Sequence, residues 1–441
     1  MRGLCGAPCP LCNKVPTCEG GITTISGTVV TGAAVNPDPV YGAAVYIPNV
    51  ALGAKLGPLM AGPSCDNGCF FFTQDVALAS SVAGPDGTFV MSGNIPAGQG
   101  IPLVVQVGKW RYETTIDVLP CTNNVLPLGT ARLPRTQAEG NIPLTAVATG
   151  KADALECVLR KIGIADTEFT NPGGTGRIQF YKGNGASIDA STPPESAIDW
   201  TKYDQMFFPC QGSAVSKTAN LASFLDYVNK GGRAFTTHYS YTWLATNGPL
   251  ANVAQWQVDQ PQPANPLTGN IDVSTPRGQN FATWLQIVGA VSNPGNSSLP
   301  QIAISDARHD VNGIPIGQGA QPWITSNNPA RVQQFSFATP VLTPADPDKV
   351  CGRVAYSDFD VAGATDNGTL TFPAECPTSA LTPQEKVIAF MLFESQTCIL
   401  TPPTIPPPPP GPPPPPPSPQ PLPPSSPPPP PVGPSPGDCR D

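Results

Sequence analysis

The chain has 441 residues, of which 12% are charged, and a formal net charge of -8. That length allows two or three domains at roughly 100 to 200 residues each, while the acidic balance excludes the basic surfaces that attract nucleic acid or anionic membranes. Thirteen cysteines gathered near the ends and in Gly/Pro-rich loops point to an oxidising compartment, and no run reaches the roughly 18 apolar residues of a membrane span.

Residues 1–20 carry Cys5, Cys9, Cys12 and Cys18 among Gly and Pro. Cys9-x-x-Cys12 has the spacing of one zinc knuckle, but a second such pair is missing, so disulfides are expected here rather than zinc. The start, Met1 to Cys5, shows no apolar export segment, which leaves an internal start or a lost signal as the routes to secretion.

Residues 21–135 read as all-β. Ile22–Val30, Ala43–Ile47, Thr88–Met91, Leu103–Val107 and Tyr112–Val118 are short runs rich in Val, Ile, Thr and aromatics, separated by turn residues such as Gly84-Pro85-Asp86-Gly87. They predict a small β-sandwich. Ser26-Gly27-Thr28-Val29, Asp86-Gly87-Thr88-Phe89 and Ile95-Pro96-Ala97-Gly98 resemble a carboxypeptidase-regulatory-like, transthyretin-like module. That resemblance implies an accessory domain and not a catalyst. Cys65 and Cys69 are expected to staple an insertion in it.

From 140 to 400 the period changes and strands alternate with helices. Ile142–Ala148 predicts a strand, Leu155, Val158, Leu159 and Ile162 a helix capped by Gly163, and Met206–Phe208 a buried strand. Leu221, Phe224, Leu225 and Val228 form the apolar stripe of the next helix, Gly231 ends it, and Arg233–Thr237 is the following strand. Thr382-Pro383-Gln384-Glu385 is a capping box with Pro at the first helical position, opening a helix that is apolar on nearly all sides. The fold class is therefore α/β plus all-β. The second part is expected to be a flavodoxin-like, mainly parallel open sheet with helices on both faces. Residues 401–441 are mostly proline and predict a disordered or polyproline II stalk, reaching on the order of 100 Å at about 3.1 Å per residue.

Candidate chemistry centres on His238, one of two histidines, at the turn leaving a strand's carboxyl end, where open α/β sheets keep their ligand sites. The Gly231-Gly232 pair, the apolar strand and His238 in series resemble the class I glutamine amidotransferase-like superfamily, nearer its trehalose-utilisation-like branch. In that superfamily the elbow residue is a cysteine nucleophile, so His238 here argues against thiolate amidotransferase chemistry. Cys210, at the end of another strand, could act as a thiol nucleophile with His238 as base; a buried or disulfide-linked cysteine is the plainer reading. Asp306, His309 and Asp360 could hold a divalent metal, against the ordinary turn-capping role of loop aspartates. Tyr239, Tyr241 and Trp243 could form a stacking platform for a sugar, or simply pack the core. No organic cofactor is expected.

Longer stretches, Ile101 to Arg111, Ala152 to Cys157, Cys351 to Val354 and Leu381 to Lys386, resemble a group of secreted proteins of myxobacterial type that combine these two domains. Members of that group carry further histidines, where Ser240 and Asp360 stand here, which argues against an inherited metal role. The expected disulfides include Cys351 with Cys376. Together these features predict a secreted or cell-surface, non-catalytic protein that binds a ligand, for instance an extracellular or cell-envelope glycan, or builds the envelope. The alternative is an extracellular hydrolase using His238 with Cys210 or a bound divalent metal.

Overall fold

Eight strands form the first lobe of the computed structural model, which describes residues 9–65, 77–296, 298–342, 346, 349–360 and 370–396. They are β1 (Thr24–Thr28), β2 (Ala44–Pro48), β3 (Ala77–Val82), β4 (Thr88–Met91), β5 (Gly98–Val107), β6 (Trp110–Val118), β7 (Asn123–Val125) and β8 (Gly140–Asn141). One sheet has the order β4-β1-β7 and the other β3-β2-β5-β6-β8. Alternation along the strands sends Ile25, Val45, Ile47, Phe89, Met91, Ile101, Leu103 and Val105 into a shared interior. The five expected strands all form. β3, β7 and β8 were not foreseen, because two of them are only three and two residues long and β3, Ala77–Val82, is weak in β-branched residues.

The second lobe contains β9 (Thr145–Thr149), α1 (Leu155–Lys161), β10 (Phe169–Thr170), β11 (Ile178–Lys182), β12 (Gln205–Phe208), α2 (Leu221–Asn229) and β13 (Arg233–Thr237). After them come α3 (Gly248–Ala251), β14 (Leu267–Ile271), α4 (Pro276–Ile287), β15 (Gln301–Ile304), β16 (Ala320–Asn327), β17 (Ala330–Thr339), β18 (Gly352–Ser357) and α5 (Pro383–Gln396). All ten strands join one sheet, ordered β10-β11-β9-β12-β13-β18-β17-β16-β14-β15. The first six are parallel to one another. The last four extend the sheet in antiparallel fashion, so it is mixed where a mainly parallel one was expected. The physical reason is local: β16 and β17 are joined by a tight turn at Asn328-Pro329, which forces antiparallel pairing, and no crossover helix separates them.

Alternate residues of the parallel strands enter two apolar layers. Val147, Phe207, Phe235 and Ala355 face α1, α4 and α5; Ala146, Ala148, Met206, Phe208, Ala234 and Val354 face α2 and the segment after β13. The layer under α4 and α5 is continuous with the first lobe's interior. Tyr41 stacks on Phe390 with ring centroids 5.4 Å apart, and the Trp284 indole donates to the Pro39 carbonyl at 2.8 Å. Gly163 ends α1 with φ +107, and a Cβ there would lie 2.0 Å from the Gly32 backbone, so only glycine permits the two lobes this close. At the head of α5 the capping box forms in both directions: Glu385 N–H donates to Thr382 Oγ1 at 3.2 Å and Thr382 N–H to Glu385 Oε2 at 2.7 Å.

The cysteines pair across long loops. Cys18 bonds Cys121, Cys65 bonds Cys351 and Cys157 bonds Cys376, with Cys9 joined to Cys12. The expected Cys351–Cys376 bridge is thus replaced by two others, because Cys351 precedes β18 at the sheet's amino end, whereas Cys376 is seated on α1. Cys65 is used by Cys351 and does not staple its own loop; Cys69 lies outside the described residues, as do 401–441. No described helix is long and apolar enough to cross a membrane.

Candidate metal centre

The chain changes direction at β9. β10 and β11 build to one side of it, β12, β13 and β18 to the other, and such a switch point opens a crevice at the carboxyl ends of the strands. Four segments leave the sheet there: Asp153 after β9, Cys210 after β12, His238 after β13, and Asp358 with Asp360 after β18. The parallel register sets Thr237 opposite Ser357, so the residues that follow them emerge at one height.

His238 begins a six-residue 3-10 turn, His238–Trp243, with φ +49, a left-handed conformation costly for any residue with a Cβ. Surrounding bonds hold it. Tyr356 Oη donates to the His238 carbonyl at 3.0 Å, Ser240 Oγ to the Pro209 carbonyl at 2.9 Å, and Cys210 N–H to Thr237 Oγ1 at 2.9 Å. Thr237 Oγ1 in turn donates to Asp153. The two elbows, after β12 and after β13, are therefore tied to each other and to β9.

This frame aims three different donor atoms at one point. Cys210 Sγ lies 2.9 Å from His238 Nδ1, Asp360 Oδ1 lies 3.5 Å from the same nitrogen, and one ligand atom from each residue falls within 4.8 Å of the others. Cys210 is fully buried and His238 is 5% exposed; the Asp360 side chain, at 19%, is the cluster's open edge. His238 Nε2 and Asp360 Oδ1 are buried without hydrogen-bond partners. Among the described residues Cys210 is the one free thiol.

Burial makes every member of the cluster prefer its neutral form. His238 is lowered to about 3 by burial and then by the Arg308 guanidinium. The Cys210 thiol is raised by burial and the Asp360 charge, and the Asp360 carboxyl is raised by burial and by Asp153. In that state the Cys210–His238 contact joins a neutral thiol to a neutral ring, and which of the two donates follows the ring's tautomer. Proton transfer from this thiol to this imidazole runs uphill on both sides, so a thiolate–imidazolium nucleophile is disfavoured. The geometry differs from a nucleophile–base–carboxylate triad as well. A triad uses both ring nitrogens, whereas sulfur and carboxylate here converge on Nδ1 alone.

The structure does not assemble the metal set expected from sequence. Asp306 is exposed, with φ +52, and its Oδ1 accepts from Asn265 at 3.3 Å. His309 is half-buried, its carbonyl accepts from Arg331, and neither residue belongs to the cluster. Both follow β15, on a segment that is bridged through Ala307 to Phe359 after β18 and so runs beside the cluster without contributing a ligand atom to it. Asp360 alone of the three reaches it. Arg308 and Asp310 between them form a buried pair at 2.6 Å, with the Arg308 guanidinium 4.3 Å above the Tyr239 ring.

The aromatic platform is likewise not built. Trp243 is fully buried, packed on Phe208, Phe224 and Trp200 at 4.6, 5.2 and 5.7 Å between centroids, and Tyr241 is buried with its hydroxyl toward Asp259. The 3-10 turn winds both rings inward, Trp243 against Phe224 of α2 and Tyr241 toward Trp256. Tyr239 remains half-buried and stands edge-on to His238 at 4.6 Å. Sequence reasoning passed over Asp153, although the rule that selected His238 and Cys210, a polar residue just beyond a parallel strand, selects it as well.

No protein-family model matches this chain, and no curated protein matches it.

Proposed function

We propose that the α/β lobe is a divalent-metal centre of the hydrolytic type, in a protein that works outside the cell. Cys210 Sγ, His238 Nδ1 and Asp360 are its ligands. The observation that carries this reading is the convergence of sulfur, nitrogen and oxygen donors from three strand ends within 4.8 Å. A thiolate, an imidazole and a carboxylate together suit zinc, whose catalytic sites take three protein ligands and keep a fourth position for water. Zinc lowers the pKa of that water to about 7 and supplies a hydroxide at neutral pH.

Several features support the assignment. Ligands that are neutral when buried alone release protons when the ion enters, so the burial that disables a thiol nucleophile is compatible with a metal site. Aspartate stands where histidine was expected from the resemblance, and carboxylate oxygen is itself an ordinary zinc ligand. The disulfides fit an oxidising compartment, in which the one free thiol among the described residues, at a strand-end elbow, calls for a separate reason to persist. Convergence of the elbow residues also favours the hydrolase alternative over a non-catalytic binding role.

Metal analysis of the purified protein tests the reading, combined with a panel of ester and amide substrates. One zinc per chain, hydrolysis lost on chelation and restored by zinc, and loss of both metal and activity in His238→Ala are expected. Sub-stoichiometric metal in protein purified and refilled with zinc, or activity indifferent to chelator, would overturn it.

A further inference from the structure

Glu195, Gln211 and Lys217 meet in the interior beside the Cys210 elbow, at 8%, 3% and 8% exposure. Gln211 follows Cys210 directly, Lys217 lies on the same loop ahead of α2, and Glu195 opens the 3-10 turn Glu195–Ala197 between β11 and β12. Lys217 Nζ lies 2.7 and 2.9 Å from the two Glu195 carboxylate oxygens and 3.1 Å from Gln211 Oε1. The other end of the Gln211 amide, Nε2, donates to Glu195 Oε2. Asn184 N–H donates to Gln211 Oε1 at 3.1 Å, so these partners fix which end of the amide is oxygen. A Cβ at Gly183 would stand 2.5 Å from Gln211 Nε2, and glycine there leaves the amide its space. The buried Trp243 ring covers Nζ at 5.3 Å.

These contacts gather a nucleophile, a base and an oxyanion donor around one amide carbon. That carbon is one C=O bond, about 1.2 Å, from the oxygen that Nζ already touches, and Glu195 bonds both the nitrogen that would attack and the nitrogen that would leave. We propose that Lys217 and Gln211 join in an intramolecular isopeptide bond, with Glu195 as the proton carrier. Glu195 takes a proton from the Lys217 ammonium, and the freed amine attacks Gln211 Cδ. Negative charge develops on Oε1, where Asn184 N–H stands within the usual reach of an oxyanion donor. The Nζ–Cδ bond forms and the Cδ–Nε2 bond breaks. Glu195 hands its proton to Nε2, which departs as ammonia, then takes the second Nζ proton and ends as a neutral acid. The exchange is neither an oxidation nor a reduction. Fixed proximity drives it, since effective molarities of well-oriented groups reach about 10⁵–10⁸ M. The link closes the segment 211–217 into a ring behind the elbow, where Gly212 N–H donates to Cys210 Sγ at 3.4 Å. It does not depend on the zinc assignment.

Tryptic mapping of the full chain, reduced and alkylated after folding, tests the proposal. Trypsin does not cut after an acylated lysine, so one peptide spanning 203–230 is expected, lighter than its sequence by the mass of one ammonia and without backbone fragments between 211 and 217. Glu195→Gln is expected to slow linkage at least about a hundredfold, the loss of one general acid–base group, and to release a peptide ending at Lys217. Lys217→Arg keeps the positive charge and is expected to show the full mass. Cleavage after Lys217 in the native protein, with both peptides at their sequence masses, overturns the link and leaves a buried ion pair. Ammonia loss that persists in Lys217→Arg also overturns it, and linkage equally fast in Glu195→Gln overturns the role of Glu195.

Discussion

Replacing His238 by glycine is expected to leave a more stable protein than replacing it by alanine, the reverse of the usual order. Both changes delete the buried imidazole and open the same space, so they differ only in the backbone they prefer. At φ +49 a residue with a Cβ pays about 1–2 kcal/mol that glycine does not. Glycine's greater freedom in the unfolded chain returns roughly 0.4–1 kcal/mol of that. The net advantage for glycine is about 1 kcal/mol, whereas in ordinary strand or helix backbone glycine loses by roughly 0.5–1 kcal/mol. Urea unfolding of both variants, in chelator so that metal affinity does not enter, should place the glycine midpoint higher by a few tenths molar. An alanine variant equal to or more stable than the glycine variant would show that the elbow is not left-handed, and the convergence of Cys210 and Asp360 on Nδ1 would lose its frame.

Trp243→Ala should cost about 3–5 kcal/mol, the range for emptying a fully buried tryptophan site, and should leave binding to immobilised glycans unchanged; a selective loss of glycan binding without loss of stability would restore the platform. Between about pH 6.5 and 8 the stability of the chelated protein should fall by roughly 2 kcal/mol, because burial and Glu375 raise Glu156 to about 8 and burial and Asp310 raise Asp358 to about 7. The folded chain then keeps protons that the unfolded chain has already released. His238, depressed by burial and Arg308, opposes this only below its unfolded value of 6.5, where stability is lost as pH falls; denaturant midpoints flat across the upper window would refute the assignment. Peptide mapping without reduction should recover Cys18 linked to Cys121, Cys65 to Cys351 and Cys157 to Cys376. Cys210 should alkylate only on unfolding, and prompt alkylation of the native chain would contradict its burial.

Much of this arrangement is visible in the sequence where local chemistry decides it. The strand Arg233–Thr237 and the capping box at Thr382 form as their residue patterns imply, because a turn glycine and a reciprocal side-chain cap act over a few residues. The antiparallel half of the sheet was hidden. β14 is Leu-Thr-Gly-Asn-Ile and β16 carries Pro322, compositions that read as turn and loop and become strands only through pairing with β17 and β15. His238 and Cys210 could be singled out as strand-end residues one by one. Their meeting with Asp360 depends on β18 pairing beside β13, a contact more than a hundred residues distant in the chain that no local pattern encodes. The disulfides illustrate the same limit, since Cys65 and Cys351 are 286 residues apart.

Cobalt substitution tests the central claim most directly. With Cys210, His238 and Asp360 as ligands, the metal-free protein should take up one Co²⁺ per chain and show a sulfur-to-cobalt charge-transfer band in the near ultraviolet, together with the intense visible bands of a tetrahedral ion. Cys210→Ser should lose the charge-transfer band, and His238→Ala and Asp360→Ala should lose the bound ion. A cobalt complex without sulfur charge transfer, or one unchanged in Cys210→Ser, would contradict the centre.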